Sequence, residues 1–380
     1  MRGNLTKSIF SLFIILQILC SVSIAREDIE NYGTYVLFPQ GSVRVMAIGG
    51  AAVAISEDAA AMLYNPAGTA FADWRFDAGS TNNKVNNEEL AYNFPKTYGV
   101  YETKYDSPYS YNFYAAAVRM GDWVVGLGYS SPFYYEFSDV NPISNMEVAR
   151  LEIKVTSFDM MLTRRFGEFV ALGVTGHSER VDEYYRNSTL TGSSAIDGIR
   201  TSGTGQYFSS GLMFRNKIAG MGFSYYPKRK MQVDLSKDDD LTAFNTVAFR
   251  DVYIPAKTNL GAFYQWSRLL VAFDVDMVEK ADNTIYVSSV STSSELVNPK
   301  AYQVLHGGVE ITVYKSKNLA FYLRGGGYTE PSRFENGRSR DHITFGAELG
   351  LGPLVLSYAA DQAPKFSNSA YGVSFNILAM

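Results

Sequence analysis

The chain has 380 residues, of which 46% are hydrophobic, 19% charged and 14% aromatic, with a formal net charge of −4. This mild acidity argues against a nucleic-acid partner, and the lone cysteine, Cys20, excludes a disulfide framework or a cysteine metal site. Beyond the N-terminal leader, no stretch approaches the ~20 apolar residues that a membrane helix needs.

In that leader, Arg2 and Lys7 precede an apolar run from Ile9 to Leu16 that continues through Ile18 to Val22. Ser23-Ile24-Ala25 then supplies small residues at both cleavage positions. Residues 1–25 are therefore predicted to be a signal peptide, with the mature chain starting near Arg26 and carrying no cysteine. Cleavage removes two basic residues and no acidic one, so the mature chain is more acidic still. Leu19 is large where a lipoprotein signal wants a small residue, which argues against lipidation of Cys20.

Residues 26–72 do not read as strands. Within them lies Gly49-Gly-Ala-Ala-Val-Ala-Ile-Ser-Glu-Asp-Ala-Ala-Ala-Met-Leu-Tyr-Asn-Pro-Ala-Gly68. Ser56 is placed to cap a short helix, Glu57 and Asp58 suit its positive end, and Asn65-Pro66 is placed to stop it. The small residues make the segment compact enough to pack inside a barrel.

From residue 73 to 380 the pattern changes to alternating apolar segments meeting at short polar turns. Those turns read Gly121-Asp122, Gly167-Glu168, Asn216-Lys217, Ser267-Arg268, Ser316-Lys317 and Gly352-Pro353. The opposite connections are long and polar, and this strict asymmetry is the mark of an outer-membrane barrel. A first strand over Trp74–Asn83, pairs about the six turns, and a last strand over Ser369–Leu378 make fourteen. The long connections fall near 84–109, 137–149, 186–203, 229–248, 280–300, 330–340 and 361–368. The even count puts both termini on the periplasmic side.

Trp123, Val125, Leu127 and Tyr129 share one face against Gly126, Gly128 and Ser130. Leu269, Val271, Phe273, Val275 and Met277 oppose Asp274 and Asp276, while Ile343, Phe345, Ala347 and Leu349 oppose Thr344 and Glu348. A soluble antiparallel sandwich also alternates, so alternation alone leaves both readings open. The ends of the chain decide for the barrel. The leader exports it, and the C-terminal run with Tyr371, Val373, Phe375 and Ile377 on one face reads as the closing strand used by the barrel-assembly machinery. The 27 tyrosines and 24 phenylalanines suit aromatic girdles. The predicted fold class is thus an all-β transmembrane antiparallel barrel with an N-terminal hatch containing short helices. Fourteen strands enclose a lumen wide enough to need a plug or to hold a ligand.

At Asn65, Pro66 and Ala67, after the glycine-rich stretch and the acidic-alanine segment, the chain resembles the FadL family of outer-membrane transporters for long-chain fatty acids and other hydrophobic compounds. The resemblance extends over the whole chain, and Leu323-Arg-Gly-Gly-Gly-Tyr-Thr-Glu-Pro331 followed by His342-Ile-Thr-Phe-Gly346 is similar to the family's late hairpin. It implies passive transport: capture among external loops, an internal pocket, and sideways exit past the hatch into the membrane. Such a route suits a greasy molecule, which gains nothing from a watery channel. The partners implied are outer-membrane lipid and a hydrophobic small-molecule ligand, with no cofactor and no nucleic acid. Family members of the PorV type are secretion shuttles, so a docking protein or surface adhesin is the alternative; it predicts a fully closed wall.

Phe133, Tyr134, Tyr135 and Phe137 are expected in a loop groove for the ligand, or else in an interfacial girdle. Arg165 and Arg324 fall on the polar face, where each is placed to meet an acid headgroup or to join Glu310 and Glu348 in an ion-pair network. Enzyme readings fare worse. His177, His306 and His342 are scattered, with no serine or aspartate recognisably placed beside them. Asp238-Asp239-Asp240 lacks the spacing of a calcium loop. No catalytic or metal residue is assigned.

Overall fold

A computed structural model describes residues 41–87, 107–140, 147–187, 199–234, 252–280, 300–331, 339–364 and 366–378. The predicted signal peptide, residues 26–40 of the predicted hatch, and Asp238–Asp240 lie outside the described residues.

Fourteen antiparallel strands form the wall. They are β1 (Trp74–Asn87), β2 (Ser107–Met120), β3 (Trp123–Val140), β4 (Glu147–Phe166), β5 (Val170–Asn187) and β6 (Ile199–Arg215). β7 runs in two pieces (Ala219–Tyr226 and Arg229–Asp234), as does β8 (Val252–Ile254 and Lys257–Trp266). β9 (Leu269–Val278), β10 (Tyr302–Lys315), β11 (Leu319–Glu330), β12 (Arg340–Leu351), β13 (Leu354–Ala363) and β14 (Phe366–Leu378) complete it. Each strand pairs with its sequence neighbours, and β1 pairs with β14 to close the ring.

All six short turns lie where the sequence places them. Gly121, Gly167 and Gly352 take φ values of 64°, 65° and 59°, the left-handed conformation that glycine adopts freely, and Ser267 adopts the same region at 55°. Alternation also holds: Leu127, Tyr129, Phe273, Ile343, Phe345, Tyr371, Val373 and Phe375 project outward, while Gly126, Ser130, Asp274 and Thr344 project inward and are buried. A belt of exposed large apolar side chains facing away from a buried polar interior is what hydrocarbon around a closed sheet requires.

Several strands are longer than the sequence reading had them. β1 continues past Asn83 to Asn87, β14 begins at Phe366 rather than Ser369, and residues 229–234 and 252–254 belong to the wall. The connection expected over 361–368 shrinks to the two residues between Ala363 and Phe366. Phe133, Tyr134, Tyr135 and Phe137 lie in β3, paired with Val155, Lys154, Ile153 and Leu151 of β4, not in a loop groove. The reason is that a ladder propagates wherever both partners tolerate extension, and aromatic residues favour strands. Polar outward positions such as Ser178 and Arg180 show the wall continuing beyond its apolar belt.

Three places in the described wall lack rungs. Between β6 and β7 the ladder passes from Ser210–Tyr225 to Thr204–Gln232, skipping Gly205–Ser209 and shifting register by one residue. In β7 and β8 the ladder skips Pro227-Lys228 opposite Pro255-Ala256 and resumes in the same register, because proline offers no amide hydrogen. Between β2 and β3 the rungs run from Met120–Trp123 to Tyr114–Tyr129 and stop there. Yet β2 stays paired with β1 out to Ser107–Asn87, and β3 stays paired with β4 out to Val140–Glu147. The result is a slit bounded by continuing wall on both sides. Ser131 and Pro132 mark its start, where the β3–β4 register shifts between Ser130 and Phe133, as a bulge at proline produces.

Candidate functional site

Residues 41–72 lie within the ring, and backbone-level contacts hold them there. Ser42 caps α1 (Val43–Ala47), its side chain accepting from the Val45 amide. Ser56 caps no helix; its Oγ donates to Ala52 O at 2.6 Å. Asp58 precedes a 3₁₀ turn over Ala59–Leu63. Asn65 opens a second such turn, Pro66–Phe71, accepting from the Ala67 amide with Pro66 at the first position, where its missing donor does no harm. The Asn-Pro-Ala motif thus starts an element as well as ending one. Through Nδ2, Asn65 also donates to Val53 O at 2.7 Å and to Leu212 O of β6 at 3.2 Å.

Contacts reach nearly every part of the wall. α1 packs on β11 to β14, the first 3₁₀ turn on β1 to β4, and the second on β3 to β6. The Val53 amide donates to Asp274 Oδ2 at 2.7 Å, Thr163 Oγ1 to Pro66 O at 2.7 Å, Tyr226 Oη to Tyr64 O at 3.0 Å, and Thr344 Oγ1 to Ala47 O at 3.1 Å. Between these side-chain contacts the two backbones approach so closely that only glycine fits on the wall. A Cβ at Gly222 would collide with the Val53 carbonyl, and one at Gly308 with the Ile48 carbonyl; Gly173, Gly211, Gly326 and Gly346 stand at comparable approaches on their own strands.

The lumen is two-sided. Against β1 to β4 lies an apolar cluster in which Ala59, Ala60 and Met62 meet Trp74, Phe113, Val124 and Met161. Phe113 is the first β2 residue beyond the last β2–β3 rung, while Ala115, Ala117, Val124 and Met161 sit on its paired side, so the cluster reaches the near end of the slit through Phe113.

On the opposite side, charges cross the lumen in a chain. Arg215 Nη1 meets Glu57 Oε1 at 2.5 Å, and Glu57 Oε2 lies 3.6 Å from Arg44 Nη1. Arg44 Nε donates to Glu310 Oε2 at 2.8 Å, as does Arg324 Nε at 2.7 Å. Arg324 Nη1 is 2.9 Å from Glu348 Oε2 without hydrogen-bond alignment. Burial alone would lower the Arg44 pKa, but Glu310 and Glu57 outweigh it and raise it, so Arg44 stays charged. Burial also raises the Asp58 carboxyl, against the opposing hydrogen bond from Ser42 Oγ at 2.7 Å.

The structure therefore joins Arg324, Glu310 and Glu348 but leaves Arg165 out. Arg165 sits at the short-turn end, its guanidinium 5.7 Å from the Phe71 ring and its Nε donating to Gly167 O at 2.9 Å. Inward parity puts both arginines in the lumen, and height along the strand separates them.

A further correction concerns His177. Nδ1 lies 2.6 Å from Asp159 Oδ1 and Nε2 2.8 Å from Ser209 Oγ, with all three residues buried. The constellation resembles that of a nucleophilic hydrolase, yet Ser209 is 0% exposed, so its Oγ is closed to a substrate carbonyl in this arrangement. His342 is likewise held by Asp361, at 2.8 Å, and His306 by the Gly49 carbonyl, at 2.7 Å. These are bonded lumenal histidines.

Replacing Asn65 with alanine removes one cap acceptor and strands the buried Val53 carbonyl, so the folded protein is expected to lose about 2 kcal/mol. Asn65→Asp, which keeps the acceptor but not the donor, should fall between. Urea midpoints of the two variants and the parent check this.

A closed antiparallel ring with an outward apolar belt and an occupied lumen is a membrane-spanning β-barrel. No family model and no curated protein matches the chain. Solved structures do, and they show that the fold is FadL-like. A FadL homologue from Pseudomonas aeruginosa superposes with a TM-score of 0.62 at 14% identity, covering 88% of this chain and 96% of that one. The Ralstonia pickettii toluene transporter TbuX gives 0.59 at 14%, covering 90% and 99%. The Pseudomonas putida toluene transporter TodX gives 0.56 at 14%, covering 91% and 97%.

Proposed function

We propose that this protein is an outer-membrane passive transporter for hydrophobic compounds, a class running from small aromatics to long-chain fatty acids. The single observation that carries this reading is the slit between β2 and β3, whose near end opens at Phe113, the edge of the buried apolar cluster. A sealed wall would suit a secretion shuttle or adhesin; a break beside greasy side chains suits sideways release into hydrocarbon, with no aqueous step for the ligand. The similarity to structures described as toluene transporters supports the same class of cargo.

In this reading residues 26–72 are the hatch, anchored by Asn65, Pro66 and Ala67, and Arg324, Glu310 and Glu348 act as a latch for Arg44 instead of a headgroup site. The short turns and both termini face the periplasm, the signal peptide exports the chain, and β14 is presented to the barrel-assembly machinery. No catalysis is involved, since passive flow needs none.

Cysteines at Phe113 and Ser130, the positions of the next rung, would lock the slit by a disulfide in a chain whose only other cysteine is Cys20. Uptake of labelled hexadecanoate or toluene by cells expressing the F113C/S130C variant is expected to fall about tenfold on oxidation and to recover on reduction. Uptake indifferent to the lock would overturn sideways release.

A further inference from the structure

On the outside of the wall a groove of about 540 Å³ crosses β1. Ala78 and Ser80 form its floor, too short to fill the space between the ridge of Tyr114, Tyr129 and Phe158 and the ridge headed by Phe375. None of its lining residues is charged. Tyr114, Tyr129, Phe158 and Phe375 belong to the exposed apolar belt, so the groove lies at the depth of the bilayer hydrocarbon. Tyr114 and Tyr129 are also the last rung of the β2–β3 ladder, so the groove begins where the slit ends.

From this continuity we propose that the groove is an exit subsite: it seats the hydrocarbon part of the transported compound after that part has passed the slit and before it mixes with the bilayer. This rests on the transport reading above. The groove is shallow and open to the bilayer, and its uncharged lining takes an alkyl or aryl group and no headgroup. A polar end would trail at the slit, where Ser130 and Ser131 follow the last rung along β3. Lipid tails are as apolar as the groove, so retention comes from contact between the chain and the two ridges and is weak. Weak retention is what a station on a passive path needs, because a tight one would stop the flow.

The test uses the full-length protein in vesicles of saturated, non-reactive phosphatidylcholine, with hexadecanoic acid bearing a mid-chain diazirine as probe. After a brief pulse and illumination, labelled peptides are mapped by mass spectrometry. Label is expected on the β3, β4 and β14 peptides that carry Tyr129, Phe158 and Phe375. It should fall about tenfold in oxidised F113C/S130C, return on reduction, and fall about tenfold in Ser80→Trp, which fills the floor. Groove label that persists with the slit locked would mean filling from the bilayer and would overturn the proposal. Label confined to lumenal peptides while uptake still responds to the lock would also overturn it and leave transport standing. Failure of transport itself would register separately, as uptake indifferent to the lock.

Discussion

Leucine at position 324 is expected to destabilise the folded barrel by about 3–5 kcal/mol, the range for breaking a buried ion pair by removing one partner. Arg324 is 7% exposed and stands between two carboxylates, Glu310 at 2.7 Å and Glu348 at 2.9 Å. Its loss leaves Glu310 dependent on Arg44 alone and takes from Glu348 the cation beside it. Two carboxylates in a low-dielectric lumen with half their counter-charge are far from equivalent to a neutral core. Arg324→Lys should recover part of the loss, since a single ammonium cannot reproduce the forked contact. Urea titration of barrels in detergent, followed by tryptophan emission, reads the shift. A change below ~1 kcal/mol would place the network among solvent-screened pairs and sink the latch.

The second large effect concerns the seat. Gly222→Leu and Gly308→Leu each drive a side chain into a carbonyl of residues 41–72, at Val53 and Ile48 respectively. Overpacking of this kind costs typically ~1–3 kcal/mol, and here the obstacle is backbone, which cannot rotate away. Displacement of the segment from the lumen is the expected response. Cells carrying the double variant should become sensitive to large polar antibiotics that the parent excludes, and planar-bilayer conductance should rise. A barrel that remains folded with unchanged conductance would show that residues 41–72 do not act as a plug.

Much of this architecture was legible in the sequence because lipid imposes simple demands. A wall facing hydrocarbon must alternate, and four of the six short turns pass through positive φ, so Gly121, Gly167 and Gly352 announce theirs. Strand length was less legible, since outside the bilayer nothing forces a hydrophobic face; Phe133 to Phe137 read as a loop for that reason and are strand. Register was not legible at all. His177 finds Asp159 and Ser209 on its two neighbouring strands, 18 and 32 residues away in sequence. Neither strand's own pattern says how far it slides past the next. The same gap separates Arg165 from Arg324: parity sent both inward, but only height along the wall gives Arg324 its carboxylates. The slit did have a signal, Ser131-Pro132 within an apolar strand, since proline brings no amide hydrogen to a ladder.

Residues 41–72 are gripped by partners as distant as Thr344 and Glu310, 297 and 266 positions further along the chain from Ala47 and Arg44. Partners so far apart in sequence reach residues 41–72 only once the wall has curled around them, so the segment's grip spans the whole ring and ties strands near β1 to strands near β14 across the lumen as well as along the seam.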